Sequence, residues 1–374
     1  MSSAADHTPL NKAPRTLPVP IPSSSVVLVS PTNQVLLLHR VRTASAFSSA
    51  HVFPGGALSP EHDGPTPPIT DTDPHHSAYK LAAIRETFEE SGILLAKKNG
   101  RLFTEISEAE REKGRRAVHA GTTLFPDLLK KWGCQADVDA LIPFTRWITP
   151  ANVKKRFSTQ MYLYFLPLNS ASPPTNSKPK PISSGEASVM DGEDLEGGPD
   201  IVIPHPTHDG GIEHTAARFL PPNKWLELAA QNRIILFPPQ YFLTWHLSHY
   251  LSRTVTSSSL PIPAVEELQR ERDSLMGFLA EDDGAVGKAV ISPVVLGGLY
   301  GEKEQGKVGR ELEEGIAVLK LDSAGAELEE VGVRGSRVVG RWVITTKFKK
   351  EGPRDVRVRE RGDVLGEEGR ETKL

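Results

Sequence analysis

The 374-residue sequence predicts an α/β (α+β) fold with disordered insertions and a C-terminal helical/β extension. Three observations predict it. The apolar runs Val26-Val27-Leu28-Val29 and Val35-Leu36-Leu37-Leu38 have strand length, and their near-continuous hydrophobicity suits strands buried on both faces. Leu81, Ile84 and Phe88 recur at helical spacing ahead of Gly92, a fitting helix stop. Proline, with 31 residues, exceeds its usual share of about 5% and crowds into particular stretches, which separates ordered blocks from loops.

Residues 1–24 are expected to be a disordered tail, because Pro9, Pro14, Pro18, Pro20 and Pro22 prevent an amphipathic helix. Ser25–Ser30 and Gln34–Arg40 form a hairpin around Pro31-Thr32-Asn33. His51-Val52-Phe53 runs into Pro54-Gly55-Gly56, a stop where backbone must pass close to something. Residues 59–76 are a Pro/Asp/His-rich insertion. A helix follows, with Asp73 as N-cap and Pro74 at its first position. Ser107 and Glu110 make a capping box that opens a second helix, and a third covers about Leu124–Trp132. Arg146–Thr149 and Ser158–Leu166 are strands, the latter rich in β-formers such as Thr159, Tyr162 and Tyr164. Residues 169–200 carry few large apolar side chains and are expected to be a disordered insertion. Ile212–Leu220 is a strand, followed by helices at about Asn223–Gln231, Pro239–Ser252 and Ala264–Ala280. Short β-like runs, Ala289–Leu296, Ile316–Leu321 and Arg337–Lys347, then end in a tail at 350–374 with seven basic and seven acidic side chains, expected to be solvated. The domain reading is therefore a core at 25–262, an extension at 263–349 and the charged tail.

Composition excludes several classes. Cys134 is the sole cysteine, so no disulfide framework exists within the chain. A net charge of −3 gives no basic footprint for nucleic acid. No apolar run approaches the roughly 20 residues of a membrane-spanning helix, and the N-terminus lacks the apolar region of a secretory signal. Thr372-Lys373-Leu374 resembles a Ser-Lys-Leu peroxisomal address. A peroxisomal or mitochondrial location is expected, with the cytoplasm as the alternative.

Chemistry concentrates in Ala83–Ile93. On a helix, Glu86, Glu89 and Glu90 stand at i, i+3 and i+4, on one face. Like charges so placed repel, and a hard divalent cation with oxygen ligands relieves the repulsion. Arg85 lies four residues before Glu89 and can orient it, while Leu81, Ile84 and Phe88 anchor the opposite side.

With Phe53-Pro54-Gly55-Gly56, this segment resembles the Nudix box, Gly-x5-Glu-x7-Arg-Glu-apolar-x-Glu-Glu-x-Gly-apolar. Arg85, Glu86, Glu89, Glu90, Gly92 and Ile93 match its second half, with Thr87 at a usually larger apolar position. The box is interrupted: 23 residues separate Glu61 from Arg85 where the pattern has seven. Counting back from Arg85 lands on Ser77, so Glu61 is the substitute for the first box carboxylate. Leu36–Arg40, Ala50–Gly56 and Ala82–Glu90 together resemble the coenzyme A diphosphatase-like branch, whose members carry such an insertion. The resemblance implies an α/β/α sandwich around a mixed sheet. It implies Mg²⁺ or Mn²⁺ held by the Gly55 carbonyl, Glu89 and Glu90, with Glu86 as a further ligand or helping to activate water, and Arg85 orienting them. It further implies cleavage of a nucleoside diphosphate derivative, CoA or acyl-CoA foremost, to 3′,5′-ADP and a phosphopantetheine. Nucleotide sugars, dinucleotides or RNA caps are alternative substrates, and a scaffold with lost catalysis is the alternative of another class.

Arg40, Arg42 and Gly56 are the substrate-facing candidates, the arginines as planar forks for phosphates. His51 is expected in an ordinary turn hydrogen bond. His75, His76, His205, His208 and Asp209 lack a tight ligand motif, Glu213 is a solvent-facing strand carboxylate or a remote acid completing the metal site or acting as base, and Trp147 and Phe157 are core rather than a base-stacking platform.

Overall fold

The computed structural model describes residues 18–40, 49–151, 153–168, 214–251, 264–296 and 315–365. Arg42, Glu213, His205, His208, Asp209, the 169–200 insertion and Thr372–Leu374 lie outside them.

The chain opens with a hairpin, β1 (Ile21–Val29) and β2 (Val35–Arg40), closed with Val29 opposite Val35 around Asn33 at positive φ; Ile21–Ser24, expected in the disordered tail, are instead strand, because they pair with Phe157–Gln160. The strands then part. β3 (His51–Val52) pairs with β2, and β4 (Gly55–Ala57) pairs with β1, so the Phe53-Pro54 link fills the split. The short helix α1 (Pro60–Asp63) leads to α2 (Ser77–Ser91). Next come β5 (Ala96–Lys98), β6 (Arg101–Leu102), α3 (Glu108–His119), α4 (Phe125–Trp132) and β7 (Gln135–Ala136), with β6-β5-β7 forming a small sheet. β8 (Ile142–Ile148), β9 (Phe157–Phe165), β10 (His214–Leu220), α5 (Pro222–Ala230) and α6 (Pro238–Tyr250) follow. Among the described residues the main sheet has the order β10-β2-β1-β9-β8, extended past β8 by β11 (Val290–Ile291). It is mixed: β1 and β9 run parallel, whereas β1/β2, β2/β10 and β8/β9 are antiparallel.

Alternation along β1 and β2 sorts the core into two layers. Val26, Leu28, Leu36 and Leu38 face α2 through Tyr79, Ile84 and Phe88. Val27, Val29, Val35 and Leu37 face Trp225 of α5 and Phe242 and Leu247 of α6. Both faces are dry, as the apolar runs require, and each large side chain buried this way contributes about 1.5–3 kcal/mol.

The boundary expected at 262/263 does not divide two cores. α7 (Val265–Gly284) supplies Leu275 and Phe278 to the second layer. Its Arg272 donates to Asn33 Oδ1, Leu166 O and Ser30 O, each at 2.8 Å, bolting α7 to the β1–β2 turn. β11 joins β8 in parallel. The rest forms a second sheet from β12 (Val294–Leu296), β13 (Ala317–Lys320), β14 (Trp342–Lys349) and β15 (Gly352–Glu360), with α8 (Ala326–Glu329) and α9 (Arg361–Leu365). Leu319, Trp342, Ile344 and Val356 of this sheet pack into the same layer as Phe242. Arg156, buried beside β9, pairs with Glu327 of α8.

The solvated tail expected from 350 is corrected in the same way. β15 buries Val356 and half-buries Val358 between exposed arginines. Its charge count hides a period of two, with one apolar face and one wet face.

Candidate active site

α2 begins at Ser77, not at Asp73-Pro74. The Asp71 and Asp73 side chains instead accept from Asp73 N and His75 N at 2.9 Å, which makes local turns, and His76 caps the helix by accepting from Ala78 N. Tyr162 Oη donates to Pro74 O and Arg146 to Asp71 O, each at 2.6 Å, so this stretch of the insertion is tied to the sheet. The helix ends as expected at Gly92, whose φ is 73°. Thr87 is fully buried and returns its hydroxyl to Ala83 O at 2.8 Å, so the departure from an apolar residue leaves no polar atom stranded.

Arg85 organises the acidic face. Its Nη1 reaches Glu86 Oε1 at 2.8 Å and Glu89 Oε1 at 2.9 Å. Its Nε and Nη2 grip both oxygens of Asp63 at 2.9 and 2.8 Å, and Nη2 also donates to Ala57 O at 3.0 Å. Asp63, at the end of α1, is buried, and its other contact caps Ser59 N. Glu61, the substitute expected from spacing, is exposed two residues earlier. The correction has a simple cause. α1 turns the chain once, and only the last residue of that turn faces α2. No sequence signal marks Asp63, because its partner lies across a loop that spacing does not constrain.

Gly55 and Gly56 are required by proximity rather than by φ. A Cβ on Gly55 would lie 2.4 Å from Ser24 O, inside the β1–β4 pairing. One on Gly56 would lie 2.5–2.6 Å from the Glu86 carboxylate. Gly55 N–H donates to Glu90 Oε2 at 2.8 Å, so the glycine turn fixes one carboxylate directly.

Two residues from α3 also reach the face. Arg115, fully buried, donates from Nε to Glu89 O at 2.7 Å. His119 Nδ1 lies 3.3 Å from Glu89 Oε2. Sequence reading placed neither, although their i, i+4 spacing puts them on one face of α3. Arg40 is half-buried at the end of β2. Among the described residues His51 Nδ1 has no hydrogen-bond partner; the ring stacks on His39 at 4.8 Å, and burial pushes it down to about 3.

Asp63, Glu86 and Glu89 thus gather around one guanidinium, and Gly55 N–H holds Glu90 on the same helix. Burial disfavours the Arg85 charge, but the Asp63 hydrogen bonds and the Glu86 charge outweigh this and hold it above its usual range. Burial pushes the Glu86 carboxyl up to about 7, against the pull of Arg85 and with the help of Glu89. The cluster carries more negative charge than it neutralises. Among the described residues no three His, Cys, Asp or Glu side chains are preset as a closed metal cage. Mg²⁺ does not need one, because it keeps water and takes one or two carboxylates with substrate phosphates. Hard oxygen donors in excess of local positive charge fit such an ion. A cleft of about 630 Å³ at the other end of α2, beside Lys80, Leu81 and Val138, includes none of these carboxylates.

Residues 63–187 match the sequence profile of the NUDT19 Nudix domain. About a third of the chain is thus similar to a Nudix domain. The match starts at Asp63 and takes in α2, with Arg85 and the three glutamates. An acyl-coenzyme A diphosphatase NUDT19 from Gallus gallus is 29% identical over 179 residues, covering 35% of this chain and 47% of that protein. A putative nudix hydrolase 7 from Caenorhabditis elegans is 32% identical over 141 residues, covering 38% and 42%. The matched stretch is thus about half the length of either curated Nudix relative. A Nudix hydrolase structure from Alicyclobacillus acidocaldarius aligns over 64% of this chain and 98% of that one, with 18% identity and a TM-score of 0.45.

Proposed function

We propose that this chain is a metal-dependent Nudix hydrolase that cleaves the diphosphate linkage of CoA or acyl-CoA, giving 3′,5′-ADP and (acyl-)phosphopantetheine. The observation that carries the reading is the carboxylate face of α2, where Arg85 holds Glu86 and Glu89 and the Gly55-Gly56 turn holds Glu90. The similarity to a relative named acyl-coenzyme A diphosphatase supports the substrate class.

In this reading Glu89, Glu90 and the Gly55 carbonyl hold Mg²⁺ or Mn²⁺, and Glu86 is a further ligand or helps to activate water. When bound, the ion stabilises charge on the phosphoryl oxygens and lowers the pKa of the attacking water. Water adds to one phosphorus, and the bond from that phosphorus to the bridging oxygen breaks. Arg85 holds Glu86 and Glu89 together through one shared donor, with Asp63 balancing its charge. Gly56, lacking a side chain, keeps space open over Glu86. Arg40 and Arg42 meet substrate phosphates.

The test is a Mg²⁺-dependent hydrolysis panel of CoA, acyl-CoAs, ADP-ribose, NADH, diadenosine polyphosphates and capped RNA. CoA-type substrates are expected to turn over fastest, and Glu89→Gln/Glu90→Gln to fall to background. Preferred turnover of another diphosphate would replace the substrate. Activity that survives the double change would remove the metal assignment. No turnover of any diphosphate would favour a binding protein.

A further inference from the structure

Glu89 and Glu90 are held by different parts of the molecule. Glu90 is fixed from β4, by Gly55 N–H at 2.8 Å. Glu89 is fixed from its own helix and from α3. The Arg85 contact on Glu89 Oε1 is shared, because the same Nη1 also serves Glu86 Oε1. A shared donor holds two carboxylates near one another without setting either one's orientation. The second oxygen of Glu89, Oε2, faces His119 Nδ1 at 3.3 Å. An ionised carboxylate only accepts hydrogen bonds, so the imidazole is the donor, and each carboxylate oxygen keeps a lone pair for a cation.

The path that brings His119 there is rigid. Gly114 lets α3 lie against α4, since a Cβ at that position would sit 2.6 Å from the Trp132 ring. Trp132 in turn meets Phe88 of α2 edge-on at 5.9 Å. Arg115 then clamps the Glu89 main chain at 2.7 Å, and one helical turn later His119 meets the Glu89 side chain. Main chain and side chain of one residue are thereby held by one neighbouring helix that lies outside the Nudix box.

We propose that His119 is a positioning residue for the metal site: it donates from Nδ1 to Glu89 Oε2 and sets the carboxylate orientation that a divalent cation meets. The proposal rests on the reading of α2 as the metal helix. Loss of such a supporting partner typically lowers metal affinity by about 10–100-fold.

The experiment titrates the metal-free full chain with Mn²⁺ alone, followed by electron paramagnetic resonance, with a thermal melt of each variant. The His119 side chain is 38% exposed, so its replacement leaves the core intact. His119→Ala is expected to weaken Mn²⁺ binding by about 10-fold or more with a metal-free melting temperature close to wild type. His119→Asn places an amide N–H near the position of Nδ1 and is expected to restore most of the affinity. Wild-type affinity in His119→Ala would overturn the proposal, and so would an Asn variant as weak as the Ala variant. Glu89→Gln separates the two levels. If it binds Mn²⁺ as wild type does, the metal site itself is misassigned. If it loses Mn²⁺ while His119→Ala does not, only the role of His119 fails.

Discussion

At the scale of single residues, Asp63 and Glu61 are two carboxylates on one turn with opposite fates. Asp63 is buried with both oxygens on Arg85, whereas Glu61 faces solvent. Removing one partner of a buried ion pair costs about 3–5 kcal/mol, because the other charge stays buried. Glu86 and Glu89 remain on Arg85, so Asp63→Ala is expected near the lower end of that range. Glu61→Ala is expected within about 0.5 kcal/mol of wild type, as for an ordinary surface change. Urea unfolding of the two variants measures the difference; equal stabilities would refute the assignment of Asp63. The three box glutamates were legible because helical periodicity placed them. Asp63 was not, because its contact with Arg85 spans 22 positions through a loop whose path local sequence does not dictate.

At the scale of elements, α3 is joined to α4 by a close approach at Gly114. Replacing that glycine tests how firmly the helix is seated. Gly→Ala in a helix interior is normally favourable by up to about 1 kcal/mol. At Gly114 the new methyl would meet the Trp132 ring at 2.6 Å. Overpacking of this kind costs about 1–3 kcal/mol, so Gly114→Ala is expected to be net destabilising in a denaturant titration despite its better propensity. The helices themselves could be read from sequence with little error. Ser107 caps α3 as its capping-box pattern indicates, accepting from Glu110 N at 3.2 Å. The start of α2 could not, since Asp73 and Pro74 make an equally good helix opening on paper. Tertiary bonds to Tyr162 and Arg146 decide otherwise.

At the scale of the whole molecule, the two layers and the C-terminal sheet share buried histidines that set an acid limit. His246 of α6 sits among Phe242, Phe278 and Trp342, and burial pushes it down to about 3; His51, beside Trp225, is pushed down to about 3 by the same cause. Both are held neutral in the fold and charge more readily when unfolded. Their contribution is therefore complete above the unfolded value near 6.5 and is lost as pH falls from there towards 3. Each histidine adds a slope of up to about 1.4 kcal/mol per pH unit. Chemical unfolding at pH 7.5, 6 and 5 is expected to show stability falling with pH, and His246→Phe to flatten the slope. An unchanged slope in that variant would count against the burial argument. The extension was hard to read for a related reason. β11 and β12 are two and three residues long, too short to declare a partner until the sheet edge is in place.

The layer that seals the sheet behind α2 also carries a cost in time. Val27 stays uncovered until Trp225 of α5 and Phe242 of α6 have been synthesised, since these share one layer. At about 5–20 residues per second, a ribosome takes on the order of 10–45 s to cover that interval. During it the inner face of β1 and β2 stands open. A nascent chain of this design is a client for holding chaperones over much of its translation, and slowing synthesis between β2 and α6 lengthens that dependence.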